Sequence, residues 1–367
     1  MMTAFFIGLG VMCAVVLILT IVILICDATI ANYGPVTIVI NNDKQVTVEG
    51  GRPLLATLKE QNIFIPSACG GRGSCGLCKV KILDGAGEPL ATELPWLTAR
   101  ERQDRVRLSC QVKVKRPLRI EIPPELFSVR QYRTQVIGLR DLTYDIKEVT
   151  LKLAEGDLLD FKAGQFVQFE VPPYELTDEA VYRAYSVASS PSANDRVELE
   201  VRLVPNGICT TYVHRHLKVG DAVTINGAYG DFFLKDSELE VICVAGGSGM
   251  APIKSILYRL NEQKSPRRMR YYFGARTRRD LFLEDEMQAL EKTLPDFKFI
   301  PALSAPEAGS DWSGETGLIT QVLDRQVTSV ENAEAYLCGS PGMIDACVAV
   351  LRKKGLPAER IFYDKFS

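Results

Sequence analysis

The hydrophobic pattern changes character several times along the chain. Residues 5–26 are almost entirely Phe, Ile, Leu, Val, Ala, Gly and Cys, and no charged residue precedes Asp27. At ~1.5 Å per residue such a run reaches about 33 Å, enough for one helix to cross a bilayer. A secretory signal would need a basic start and a shorter apolar core. Here the first Lys or Arg is Lys44, so the run predicts a retained anchor. The flanks offer no Lys or Arg to count for the positive-inside rule and leave orientation open. Cys13 and Cys26 in this run read as small apolar fillers.

Beyond the anchor, short alternating segments dominate. Strands are expected at 36–40 and 45–48, joined by the turn Asn41-Asn42-Asp43-Lys44. A helix over 53–61 carries leucines at 54, 55 and 58 with Pro53 near its first turn. A loop of small residues at 68–78 leads into a strand at 79–83, and Pro117 and Pro123-Pro124 mark a linker. Residues 129–235 then read as antiparallel strands at 131–139, 146–153, 165–171, 196–203 and 221–227 without a long helix, the pattern of a small β-barrel. From 236 the pattern becomes strand–helix alternation. Strands at 240–244, 269–273, 298–301 and 333–337 are interleaved with helices at 252–263, 283–294, 318–325 and 343–354. That predicts a doubly wound parallel α/β sheet. The expected division is an anchor and linker at 1–33, then modules at 34–128, 129–235 and 236–367, with no internal repeat.

Composition narrows the chemistry. An apolar share of 47% with 24% charged residues is that of a folded chain, and a net charge of -2 argues against a nucleic-acid partner. The two histidines, His214 and His216, exclude mechanisms needing several imidazoles and read as surface residues. Ten cysteines are too few for a disulfide-stapled scaffold, and several are clustered. Cys69-x5-Cys75-x2-Cys78-x31-Cys110 places three thiols on one glycine-rich loop and a fourth far away. Four thiolates suit a [2Fe–2S] cluster, and glycines 70, 71, 73 and 76 let the backbone curl around it. A structural zinc site is the competing reading, but zinc sites usually pair two short knuckles. Cys243, inside an apolar strand, reads as core.

This loop resembles that of plant-type ferredoxins, widened by one residue between the first two cysteines. The modules after it resemble the ferredoxin–NADP reductase family. Arg183-Ala184-Tyr185-Ser186 is similar to that family's R-x-Y-S flavin motif, and Gly207-Ile208-Cys209-Thr210-Thr211 to its flavin phosphate turn. Gly246-Gly247-Ser248-Gly249-Met250-Ala251-Pro252 is similar to its nicotinamide-nucleotide loop, and Cys338-Gly339-Ser340-Pro341 to its C-G-x-P motif. Anchor, β-grasp ferredoxin module, FAD barrel and NADH module, in that order, resemble the NADH-oxidising component of the sodium-translocating NADH:quinone oxidoreductases. The segment 172–182 is shorter than its counterpart in that family, which bears on the docking partner.

The resemblance implies roles that elementary chemistry supports. Arg183 offers a fixed donor fork for a flavin phosphate. Tyr185 can stack on the isoalloxazine, and Ser186 can hydrogen-bond near its reactive nitrogen. Gly207, Cys209 and Thr210 open a short helix expected over 211–217, whose N–H groups can hold pyrophosphate. The loop from Gly246 to Pro252 and Gly274 would receive the dinucleotide. Cys338 would sit near the nicotinamide, and the penultimate Phe366 would cover the flavin. A strand-end core cysteine and a frayed terminus are the respective alternatives.

The implied activity is an NADH dehydrogenase that converts a two-electron donor into single electrons: NADH to FAD to [2Fe–2S] to other membrane subunits, and indirectly to quinone. A bacterial inner-membrane location follows from the resemblance, with a single pass and the soluble modules on the cytoplasmic side. An oxygenase reductase, which normally lacks an anchor, and a non-enzymatic ferredoxin-like carrier are the rival readings. Gly274-Ala275-Arg276-Thr277-Arg278-Arg279 leans toward NADPH by spacing, whereas the resemblance implies NADH.

Overall fold

The computed structural model describes residues 2–29, 33–307 and 309–366. The chain divides into two compact units, Met1–Val129 and Arg130–Ser367.

The first unit opens with helix α1 (Met2–Thr29). Its residues Phe6–Leu24 are long and apolar enough to cross a membrane, and none is buried by the rest of the chain. The helix continues through Thr29, past the apolar run at 5–26, so part of the linker expected within 1–33 is helical. Cys13 is exposed on α1, and the Cys26 side chain lies outside the described residues. Strands β1 (Pro35–Ile40) and β2 (Lys44–Glu49) form the predicted hairpin. Asn41 and Asn42 both adopt left-handed φ, +53° and +59°, the twist that a tight antiparallel turn prefers and asparagine tolerates. Helix α2 (Leu54–Glu60) follows. The unit then adds β3 (Lys79–Asp84), the short helix α3 (Ala99–Gln103), β4 (Val106–Leu108) and β5 (Leu118–Glu121). The last three elements give no clear sequence signal because each is five residues or fewer.

The sheet runs β2-β1-β5-β3-β4, with β1 and β5 parallel and the other pairs antiparallel. Leu54 and Leu58 of α2 are fully buried in the same core as Ile38, Ile40, Leu118 and Ile120, giving a β-grasp core.

The second unit begins with an antiparallel barrel. Its strands are β6 (Arg130–Asp141), β7 (Ile146–Leu153), β8 (Phe166–Val171), β9 (Val181–Ser186), β10 (Arg196–Arg202) and β11 (Ala222–Tyr229). They are ordered β10-β7-β6-β11-β8-β9, and a bridge between Val187 and Leu199 joins the two outer strands. Helix α4 (Ile208–Arg215) sits against the barrel and starts three residues earlier than the helix expected over 211–217. Strand β9, which carries Arg183, Tyr185 and Ser186, has no alternating apolar pattern and was not foreseen as an element.

The α/β part contains β12 (Glu240–Gly246), α5 (Met250–Glu262), β13 (Met269–Ala275), α6 (Glu284–Thr293) and β14 (Phe297–Leu303). It closes with β15 (Glu315–Thr316), α7 (Ile319–Gln326), β16 (Ala333–Gly339), α8 (Pro341–Lys353) and β17 (Ile361–Lys365). The strands are all parallel in the order β15-β14-β13-β12-β16-β17. Residues of α5 and α6 join one buried cluster with Val241, Cys243 and Ala245, while those of α7 and α8 join the other with Ile242 and Val244. Period-two alternation along β12 therefore feeds both faces. The final strand, β17, ties down a terminus whose residues alone give no such signal. Phe366 donates its N–H to the Gly339 carbonyl at 2.8 Å, which sets aside the frayed-terminus alternative.

Candidate functional site

The order of the α/β sheet reverses at β12. Chain order proceeds from β12 through β13 to β15 on one side, then jumps back to β16 and β17 on the other. In such sheets ligands bind beyond the carboxyl ends of the strands at this switch point. The two loops that meet there follow β12 and β16, and they are the two predicted nucleotide motifs. Ala245 and Cys338 are register partners. A Cβ on Gly249 would come 2.3 Å from the Cys338 carbonyl oxygen, so only glycine lets the first loop rest on the end of β16. Gly246 pairs with Gly274 at the end of β13. Met250, Ala251 and Pro252 are buried at the start of α5, and no side chain caps that helix. Ser340 and Pro341 are exposed at the uncapped start of α8. Helix starts without a side-chain cap keep N–H groups for an anion.

Cys338 is fully buried, and burial pushes its thiol well above the ordinary range, which favours the neutral form. Phe366 is half-buried and packs on the same cluster as Cys338. Cys243 is a core residue, as expected.

The barrel contributes its motif from β9. Ser186 is buried, and the half-buried Tyr185 meets Phe169 edge-on, with centroids 6.1 Å apart. Arg183 is half-buried, and its guanidinium donates to the Tyr182 carbonyl at 2.7 Å. Gly207 is the N-cap of α4, which also lacks a side-chain cap. Thr210 Oγ1 accepts from Val204 N–H at 3.1 Å and braces that turn. The Cys209 side chain, by contrast, is 2% exposed and lies in the barrel core, so it can serve a ligand only through its backbone. The histidines expected on the surface are both half-buried. His214 Nε2 lies 2.9 Å from the Val201 carbonyl, and His216 pairs with Glu175 at 2.9 Å.

Three groups at this site had no sequence signal of their own. Arg202 at the end of β10 reaches the nucleotide loop: a Cβ on Gly247 would lie 3.4 Å from its Nη1. Glu200 and Lys254 are buried between barrel and sheet, and both belong to segments that read as ordinary amphipathic elements.

The arginine-rich end of β13 is largely occupied. Arg278 pairs with Glu284 at 2.9 Å and lies over the Trp312 ring, and Arg279 lies over Tyr144. Arg276 has no ion-pair partner among the described residues. A separate cleft of about 530 Å³, lined by Arg268, Arg270, Lys298 and Thr316 among others, opens on the α7 side of the sheet. None of the predicted site residues lines it.

In the first unit the four predicted thiols form two pairs. Cys69 neighbours Cys75, and Cys78 neighbours Cys110, each close enough to shift the other's thiol. Hydrogen bonding from Cys75 holds the Cys69 thiol down at about 4, and that from Cys78 holds Cys110 at about 7. Their partners Cys75 and Cys78 are pushed up. Among the described residues no three His, Cys, Asp or Glu groups converge as a single-ion site. Four thiols gathered in this way could supply two thiolates to each of two irons. The loop is held tight: Gly76 has φ +68°, and a Cβ there would meet Trp96 at 2.8 Å. Gln111 Nε2 lies 3.5 Å from Cys110 Sγ, a donor of the kind that tunes such centres.

Comparison with known proteins agrees with this geometry. Residues 38–115 match the 2Fe-2S iron-sulfur cluster binding domain, 134–234 the oxidoreductase FAD-binding domain, and 243–349 the oxidoreductase NAD-binding domain. Among solved structures, the Amycolatopsis cytochrome P450 reductase GcoB is similar with a TM-score of 0.73 and 27% identity, covering 90% of this chain and 98% of that one. The ferredoxin reductase in carbazole 1,9a-dioxygenase gives 0.70 and 26%, covering 91% and 98%. The F subunit of the Na(+)-translocating NADH-quinone reductase of Serratia proteamaculans (strain 568) is 36% identical, and that of Neisseria meningitidis serogroup C is 35% identical, each over 98% of both chains. The Serratia alignment spans 401 positions, more than the 367 residues here, so that relative carries segments this chain omits. With three matching domains in the same order and kinship along nearly its whole length, the chain belongs to the family of F subunits of the Na(+)-translocating NADH-quinone reductases.

Proposed function

We propose that this chain is the electron-input component of a membrane NADH:quinone oxidoreductase coupled to sodium transport. The observation that carries the reading is the switch point. There Gly249 rests on Cys338 and Gly339, and Arg202 of the barrel reaches the same loop. Bound FAD and the iron–sulfur centre supply the redox chemistry, accepting a hydride and passing electrons singly.

The chain's own residues bind and orient. Arg183 and the start of α4, with Gly207 and Thr210, hold the flavin phosphates, while Tyr185 and Ser186 address its ring. The loop from Gly246 to Pro252, Gly274, Arg202 and the start of α8 hold the NADH phosphates. Cys338 shapes the nicotinamide pocket, and Phe366 covers the flavin until nicotinamide arrives. Cys69, Cys75, Cys78 and Cys110 ligate the cluster. The functional boundaries fall at 34, 129 and 236.

Helix α1 anchors the protein once in the bacterial inner membrane, with residues 34–367 on the cytoplasmic side, where NADH is found. Restriction to the membrane surface raises the effective concentration of the ferredoxin module beside its acceptor subunits. The short 172–182 segment alters which partner surface it meets.

Deleting residues 1–26 tests this reading against the oxygenase-reductase alternative, which the two solved reductases make concrete. NADH:ferricyanide activity should be retained, and NADH:quinone activity in membranes reconstituted with the partner subunits should be lost. Full quinone activity of the truncated chain, or reduction of a soluble oxygenase, would refute it.

A further inference from the structure

The segment 142–145 that joins β6 to β7 belongs to the flavin barrel, yet it reaches both loops of the nucleotide site. It is fixed from within by Thr143, whose Oγ1 accepts from the Ile146 N–H at 3.0 Å and donates to Asp145 Oδ1 at 2.8 Å. Asp145 is tied twice to the end of β10. Its carbonyl accepts from the Leu203 N–H at 2.7 Å, and its Oδ2 accepts from Arg202 Nε at 2.8 Å. Tyr144 reaches the other way. Its hydroxyl donates to Asp280 Oδ1 at 3.0 Å, and Asp280 Oδ2 accepts from the N–H and the hydroxyl of Thr277, both at 2.8 Å, just past the end of β13.

An arginine and a carboxylate often meet fork to fork, which spends two guanidinium donors at once. Here the Thr143 hydroxyl draws Oδ1 into the turn, and Oδ2 takes Nε alone. Among the described residues Nη1 and Nη2 of Arg202 have no hydrogen-bond partner. Nη1 lies 3.4 Å from where a Cβ on Gly247 would stand, and Gly247 has φ +57°. Glycine there both permits the bend of the loop and leaves the guanidinium room beside it. The Arg202 charge is felt at the second loop as well. Burial pushes the Asp280 carboxyl up, but donors from Thr277 and Tyr144, with that charge, hold it below the usual carboxylate range. The Arg202 side chain is 56% exposed and that of Asp145 17%, so the cation is open to a ligand and its holder is not. A pair so exposed adds little to folding. What it does is remove the freedom of a long side chain.

We propose that Asp145 is a positioning residue for NADH: it holds Arg202 by Nε so that both Nη groups stay presented to the pyrophosphate over the loop from Gly246 to Pro252, which makes the 142–145 segment of the barrel part of the nucleotide site. The inference rests on the proposed function, in which Arg202 and that loop hold the NADH phosphates. Asp145 touches no substrate and acts only through Arg202. Without it the guanidinium keeps its charge but wanders among rotamers, and each binding event must order it again. The pyrophosphate is gripped from two sides, by N–H groups of the sheet loop and by a guanidinium of the barrel. Tyr144 and Asp280 tie the same two parts together beside it.

The test uses the full chain with its cofactors, NADH as donor and ferricyanide as acceptor. Asp145→Asn keeps the shape of the side chain and gives up its charge; Asp145→Ala removes both. Asp145→Ala should raise KM for NADH about three- to ten-fold, the cost of ordering one long side chain on binding, and Asp145→Asn should raise it less. In both, kcat should stay nearly level, as it does when only binding shared by substrate and transition state is lost. ADP, which carries the pyrophosphate, should weaken as a competitive inhibitor by the same factor, and adenosine should not. N-Benzyl-dihydronicotinamide, a hydride donor without phosphates, should be oxidised at the wild-type rate, which a distorted flavin site would not allow. In the Arg202→Ala background neither Asp145 variant should raise KM further. An unchanged KM for NADH in the Asp145 variants would overturn the proposal. So would a rise that persists undiminished in the Arg202→Ala background, and Asp145→Asn alone decides both points if Asp145→Ala does not fold. A KM for NADH unmoved by Arg202→Ala itself would instead overturn the functional reading of that loop.

Discussion

Two buried charge clusters, one in each unit, are built in opposite ways. In the first unit Glu93 is fully buried and Arg107 nearly so. Arg107 grips Glu93 with Nε at 2.8 Å and Nη2 at 2.6 Å, while the N–H groups of Leu90 and Leu108 fill the remaining lone pairs at 3.1 Å. Burial pushes the Glu93 carboxyl up, but these four donors outweigh it and hold it below the usual carboxylate range. In the second unit Lys254 and Arg140 face four carboxyl groups, and Glu200 is left with none of its bonds made. The first cluster is balanced and serves only to lock the 85–97 segment onto β4. The second has more carboxyl groups than cations, and burial pushes its Glu200 carboxyl up. A fully paired buried charge fixes structure; an unpaired one makes the site respond to pH.

The largest effect should come from unbalancing the balanced pair. Arg107→Ala strands a buried carboxylate and should destabilise the first unit by about 3–5 kcal/mol, read as a lower denaturant midpoint, with a milder loss when both partners are replaced by apolar residues. A loss no greater for the single than for the double replacement would show that the pair is not isolated from water.

Next comes the pH dependence of the second cluster. Burial pushes folded Glu200 up to about 8, against an ordinary value of 4.5, so across that window the folded state should keep a proton that the unfolded chain has released. Its contribution to stability is therefore intact below about 4.5 and is lost as pH rises to about 8. At ~1.4 kcal/mol per pH unit, the loss amounts to a few kcal/mol. Denaturant melts at acid and alkaline pH should show this decline in the wild type and a flatter curve in Glu200→Gln, which is the more stable of the two at alkaline pH. Equal slopes would remove the contrast between the clusters.

A charge that is available rather than spent should act on a ligand instead of on the fold. Arg183 is engaged only by the Tyr182 carbonyl in the hydrogen bonds described. Arg183→Ala should weaken FAD retention ten- to a hundred-fold, the ~1.5–3 kcal/mol of a charge-assisted contact, with little change in melting of the flavin-free protein. Equilibrium dialysis measures it.

The smallest effect concerns coenzyme choice. Arg278 and Arg279 are occupied by Glu284, Trp312 and Tyr144, which leaves Arg276 to meet a 2′-phosphate. NADH should be preferred in kcat/KM. Arg276→Ala should reduce the residual use of NADPH by the ~0–1 kcal/mol of an exposed pair while sparing NADH. A clear NADPH preference in the wild type would refute this.

Much of the molecule was legible before folding was considered. An uncharged run of anchor length, a thiol spacing on a glycine loop, and two glycine motifs each placed after an apolar strand carry their chemistry in local order. Local order survives into any fold: three cysteines within ten residues stay together wherever the loop goes. Strand β9 escapes a reading of the sequence because Val181–Tyr185 are all half-buried and its polar and aromatic residues break the alternation that marks a strand. Strand β17 was missed because it is short and terminal.

What only the tertiary structure decided is which polar face is dry. Val197-Glu198-Leu199-Glu200-Val201-Arg202 alternates as a strand with one wet face would, and Lys254 reads as an outward position on an amphipathic helix. The fold lays α5 against that strand: Ser255 Oγ donates to the Ser189 carbonyl at 2.8 Å, and Lys254 reaches Glu198. Alternation fixes which residues share a face, because strand geometry is local. Whether water or another element covers that face depends on contacts between segments far apart in the chain, and this is why Glu200 became a buried acid beside Cys338 rather than one more surface carboxylate.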